Sequence, residues 1–107
     1  MTGNEYQNLA ARTINSELTK TEVLLHALHG ISAEDGEIHS FYQKWYQGHE
    51  IDFSELKKEV GDLLWFIAEL CGVYDWKLDD VMQDNIAKLL ERYPSGFEAE
   101  RSLHREE

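Results

Sequence analysis

Apolar residues recur at steps of three and four along most of the chain, and no stretch alternates as a half-buried strand does. Tyr6, Leu9, Ala10, Thr13 and Ile14 mark one side of a first helix, expected over about residues 4 to 15. Thr19-Lys20-Thr21-Glu22 has the form of a capping box, in which the threonine side chain and the glutamate three residues on each satisfy an orphan amide of the other. It opens a long second helix, expected from about 20 to 47 and stopping near Gly48. Asp52-Phe53-Ser54-Glu55 is a second candidate box. The helix behind it carries Leu56, Val60, Leu63, Leu64, Ile67, Leu70 and Cys71 and is expected to end around Gly72. A fourth helix, from about 78 to 92, carries Val81, Met82, Ile86, Leu89 and Leu90, with Pro94 and Gly96 behind it. The charged tail FEAERSLHREE is expected to fray or to lie on the surface. Residues 1–107 thus read as a single all-α domain, a helical bundle of about four helices. Helices this short, with an apolar third helix, leave faces that a second copy would bury, so the bundle is expected to be completed by oligomerisation.

One interruption changes this picture. The second helix runs through SAEDGEIHS, which sets acids and a glycine between LLHAL and FYQKWY. Glu34 and Glu37 stand three apart there, and Glu59 and Asp62 repeat the spacing in the third helix. Residues three apart share a helix face, with roughly 5–6 Å between their β-carbons, so each pair offers two carboxylates to one point. Spacing alone proves little in a chain with 21 acids among 107 residues, and a third pair, Asp52 and Glu55, already has a local explanation as a cap. Context says more. Asp62 lies in VGDLLWFIAEL, apolar nearly all round, and is therefore expected at least partly inside. A buried carboxylate must be paired, protonated or bound to a metal. Gly36 and Gly61, each inside a helix beside one of these acids, suggest a close crossing that would bring four carboxylates together. Hard oxygen donors of this kind suit Mg²⁺ or Mn²⁺.

Other polar groups add less. No Glu has a His three residues on, as a di-iron bundle requires, so His26 and His29 read as surface or core-edge residues. Asn85, Lys88 and Arg92 share one face of the fourth helix, either as partners of nearby acids such as Asp84 or as a clamp for phosphate. Tyr42, Trp45 and Trp65 suit core packing or stacking on a base. The formal charge of −11 argues against nucleic acid and anionic membranes as partners, unless a cation stands between. Cys71 is the only cysteine and reads as a buried core thiol. No run approaches the apolar length of a membrane span and the first residues form no signal-peptide core, so a cytoplasmic setting is expected.

Taken together, these residues resemble the MazG-like, all-α nucleoside triphosphate pyrophosphohydrolases. Their signature, Glu-x-x-Glu on one helix and Glu-x-x-Asp on the next, stands here as Glu34-Asp35-Gly36-Glu37 and Glu59-Val60-Gly61-Asp62, with residues 38 to 58 between. YQNLAART is similar to the family's opening helix, LHGISAEDGEI and KKEVGDLLWFIAEL to its acidic helices, and NIAKLLERYPSGF to its last helix and exit. One segment departs from it: many relatives carry a lysine pair soon after the first motif, where this chain has Gln43-Lys44-Trp45. The resemblance implies a homodimer or homotetramer and Mg²⁺, with Mn²⁺ as a substitute, bound through Glu34, Glu37, Glu59 and Asp62. It implies cleavage of (deoxy)nucleoside triphosphates to the monophosphate and pyrophosphate, in the service of nucleotide-pool cleaning. Asn85 and Lys88 would meet the phosphates, with Arg92 and Arg12 as further candidates. Two alternatives stand beside it: a catalytically silent helical dimer acting as an interaction module, and an enzyme like phosphoribosyl-ATP pyrophosphohydrolase.

Overall fold

Four helices order the chain in a computed structural model, which describes residues 1–96. They are α1 (Gly3–Ala11), α2 (Lys20–Trp45), α3 (Phe53–Val73) and α4 (Leu78–Arg92). Thr19 and Glu22 close the expected capping box at the head of α2, and a second box, Thr2 with Glu5, opens α1. Asp52 caps α3 by accepting from the amides of Ser54 and Glu55, without the reciprocal arm of a full box. The hydrogen bonds of these caps hold the carboxyl groups of Asp52 and Glu22 below their ordinary range. Among the described residues no strand forms; Pro94 and Gly96 make only an isolated bridge.

Helix α1 stops at Ala11, short of the expected end near residue 15. The Thr13 hydroxyl donates to the carbonyl of Ala10 at 2.7 Å, and local bonds of this kind compete with helical continuation. The same hydroxyl accepts from Trp65 Nε1 at 2.9 Å, which ties the end of α1 to α3.

Helices α2 and α3 run antiparallel, as three successive pairings show. His26 lies against Glu69, Gly30 against Phe66, and Glu34 against Glu59 and Asp62. The middle pairing corrects the expectation about glycines. Space lies open at Gly36 and Gly61, whereas a β-carbon at Gly30 would overlap the Phe66 ring. The close approach is therefore one to two turns away from the acids.

The buried core is small: Ala27, Ala68, Cys71, Val73 and Leu78, with Tyr6 and Ile67 packed against it. Burial raises the thiol pKa of Cys71, as expected of a core cysteine. Gln7 clips three helices together. Its Nε2 donates to the carbonyls of Ala68 and Trp76, and its Oε1 accepts from the amide of Leu78 at 2.9 Å. Asn4 Oδ1 accepts from the next amide, that of Asp79, and Asp79 Oδ1 accepts in return from the Asn4 amide. Side chains of α1 thus cap α4, whose own N-cap residue, Lys77, makes no side-chain cap bond.

Beyond its first turn α4 is bare. Met82, Ile86, Leu89 and Leu90 are 40–60% exposed. Leu25, Leu28, Val60 and Leu64 on α2 and α3 are also exposed. The radius of gyration is 17.2 Å, against about 13 Å for a compact domain of this length.

Candidate metal centre

Antiparallel packing of α2 and α3 brings together acids that are distant in sequence. One carboxylate oxygen each from Glu34, Glu59 and Asp62 lies within 4.8 Å of the others. Glu34 and Glu59 are half-buried; Asp62 is exposed, contrary to expectation. The apolar run around Asp62 does not enclose it, because its neighbours Val60 and Leu64 are themselves exposed on the chain.

Of the three, Glu34 carries the oxygen cut off from solvent. Its Oε2 is buried with no hydrogen-bond partner, a costly state for a carboxylate oxygen unless a proton or a cation meets it. Its pKa is pushed up to about 7. The nearby Glu59 carboxyl is the largest cause, since a hydrogen bond between the two requires a proton. Burial follows, and then the charges of Glu59, Asp62 and Glu37. The charge of Asp62 also reaches Tyr6 on α1, whose hydroxyl is raised first by burial and then by that carboxylate.

Glu37 is exposed and lies outside the converging trio, although its charge is felt at Glu34. Asn85 and Lys88 lie exposed on α4 with no hydrogen bond or ion pair among the described residues, so of the two alternatives the Asp84–Lys88 pair does not form. Arg92 is half-buried at the end of the same helix, and Arg12 is the exposed C-cap of α1. Helix α4, which carries Asn85, Lys88 and Arg92, packs chiefly against α1 rather than against the acid-bearing α2 and α3.

One functional-looking group escaped the sequence reading. Glu69 is buried on α3 and meets His26 Nδ1 through both oxygens, at 2.9 and 3.1 Å. Its position in the apolar run WFIAEL was the available signal.

Three hard oxygen donors converging around a buried, unpartnered oxygen suit an octahedral divalent ion such as Mg²⁺ or Mn²⁺, which would satisfy that oxygen. The class defined by fold and site is an all-helical protein with a carboxylate centre fit for a divalent cation. More narrowly, the chain belongs to the MazG nucleotide pyrophosphohydrolase domain family, whose family model matches residues 10–97. That family is generally dependent on divalent metal and acts on nucleotides. No curated protein and no solved structure matches the chain. Among the described residues, no helix is long and apolar enough to cross a membrane.

Proposed function

We propose that the protein is a Mg²⁺-dependent nucleoside triphosphate pyrophosphohydrolase, which cleaves a (deoxy)nucleoside triphosphate to the monophosphate and pyrophosphate. The observation that carries this reading is the convergence of Glu34, Glu59 and Asp62, within a chain of this family, around an oxygen that has no partner. These three acids hold the ion, with Glu37 completing the set from the next turn of α2. A bound divalent ion neutralises the charge of a triphosphate that a −11 chain would otherwise repel, and it stabilises oxyanions formed in displacement. The acids also fix where the substrate phosphates lie, and one of them orients the attacking water as a hydrogen-bond acceptor.

Asn85, Lys88 and Arg92 serve as phosphate contacts from a second copy. The bare apolar stripe of α4 favours such an assembly, since it offers Met82, Ile86, Leu89 and Leu90 to a partner. Lys is a point charge for phosphate and Arg a bidentate fork. A dimer is the smallest assembly that fits.

The test is a panel of canonical and modified (deoxy)nucleoside triphosphates, with phosphoribosyl-ATP included, scored for products with Mg²⁺ and with EDTA. Monophosphate and pyrophosphate are expected with Mg²⁺ only. Release of orthophosphate, or no turnover of any member, would overturn the reading. Preference for phosphoribosyl-ATP would move it to the neighbouring activity.

A further inference from the structure

Glu69 and His26 form a pair that the metal centre does not use. The Glu69 side chain has no exposed surface, while that of His26 is 48% exposed. His26 Nδ1 faces both carboxylate oxygens, at 2.9 and 3.1 Å, an arrangement that suits the tautomer donating from Nδ1. Nε2 is thereby left as the outward nitrogen, and it makes no hydrogen bond among the described residues. The ring is held on its flanks as well. Trp65 meets it edge-on with centroids 5.9 Å apart, and Phe66 lies tilted at 5.4 Å. Trp65 is itself anchored by its bond to Thr13. A ring fixed on its flanks and through Nδ1 is oriented more firmly than one hydrogen bond to Glu69 requires.

Its place on the seam gives the orientation a use. Phe66 follows Asp62 by one turn of α3, and Glu69 follows by about two, or roughly 10 Å along the axis. That is a length a nucleoside triphosphate spans between its phosphates and its base. At the opposite end of the seam Tyr42 lies as far beyond Glu34 as His26 lies before it, but no hydrogen bond among the described residues orients its side chain. Aromatic surface beside one polar nitrogen also matches a nucleobase, apolar on its faces and polar at its edge.

We infer that His26, positioned by Glu69, is a specificity-determining residue whose Nε2 meets the edge of the nucleobase when the phosphates lie at Glu34, Glu59 and Asp62. In the tautomer that donates from Nδ1, Nε2 is an acceptor and the counterpart of an exocyclic amino group, so cytosine and adenine nucleotides are favoured over their keto counterparts. The inference rests on the substrate being a nucleoside triphosphate, as proposed above.

The test compares dCTP with dUTP, and ATP with ITP, in wild type, His26→Phe and Glu69→Gln. Phenylalanine keeps the ring packing and removes the nitrogens. Wild type is expected to prefer the amino member of each pair. His26→Phe is expected to lose that preference by roughly 10-fold, through KM rather than kcat, as loss of one hydrogen bond in a site built for it implies. Glu69→Gln, which loosens the ring's orientation, is expected to shift KM in the same direction. A second readout uses wild type alone and needs no turnover or substitution. The Nε2 signal of ¹⁵N-labelled His26 should move when a non-hydrolysable α,β-imido nucleotide is added with Mg²⁺, and stay in place with Mg²⁺ and pyrophosphate. Variants that weaken all four nucleotides by the same factor, or an Nε2 signal indifferent to the nucleotide, overturn the assignment while leaving the proposed function intact. A wild-type protein that neither binds nor turns over any nucleotide overturns both.

Discussion

Glu34 sits where Glu59, Asp62 and Glu37 oppose its ionisation, and this ties its proton to the stability of the metal-free fold. The unfolded chain releases that proton near the ordinary glutamate value of 4.5, the folded chain near 7. Between those values the folded state holds more protons, so its stability falls as pH rises. In EDTA, the melting temperature of wild type should therefore decline from about pH 4.5 to 7 relative to Glu34→Gln, which lacks the titrating group. Parallel melting curves for the two proteins across that window would remove the strain assigned to Glu34. Asp62 behaves differently because it is exposed. Asp62→Asn should leave stability within about 0.5 kcal/mol of wild type in EDTA, and hydrolysis should fall by orders of magnitude. Turnover at the wild-type rate would take Asp62 out of the site. At this scale the sequence was partly legible. Two carboxylate pairs could be found because helical spacing is local information. The exposure of Asp62 could not, since apolar neighbours enclose an acid only if something covers them. Nor could the pairing of Glu69, whose partner His26 lies 43 residues away.

At the scale of the element, three of the four helices begin and end within about two residues of where capping signals and glycines place them. The exception, α1, ends early through the Thr13 hydroxyl, whose bonds involve the neighbouring turn and a distant tryptophan. The glycines divide on similar grounds. A mid-helix glycine announces that something is unusual, but only the packed structure shows which one is pressed against a neighbour. Gly30→Ala should cost about 1–3 kcal/mol, because the Phe66 ring must move to admit the methyl group. Gly36→Ala and Gly61→Ala meet open space and should each stabilise their helix by roughly 0.5–1 kcal/mol. Chemical denaturation of the three variants checks both signs at once. Equal effects at Gly30 and Gly36 would mean that the seam is not packed as described.

For the whole molecule the question is what covers α4. Its exposed apolar stripe and the large radius of gyration fit half of an assembly better than a finished globule. Light scattering at micromolar concentration should give at least twice the 12.5 kDa of one chain. Ile86→Asp, at a site half-exposed on the single chain, should reduce that mass to one chain and suppress turnover together. A variant that stays assembled would put the interface elsewhere. Mg²⁺ should raise the melting temperature of the EDTA-treated protein by mass action, and no response would count against the metal centre.

The capping of α4 by Asn4 and Gln7 bears on how the molecule is made. Helix α1 carries two carboxamides whose partners, the amides of Asp79 and Leu78, are synthesised 75 and 71 residues later. The α2–α3 seam can close in the interval, since its two strands of helix are joined by a short turn and complete before α4 exists. Docking of α4 then joins it to α1. Hydrogen exchange at the amides of Leu78 and Asp79 accordingly reports on Gln7 and Asn4 of α1, and shortening the chain by its first seven residues should release both amides to solvent while leaving the seam closed.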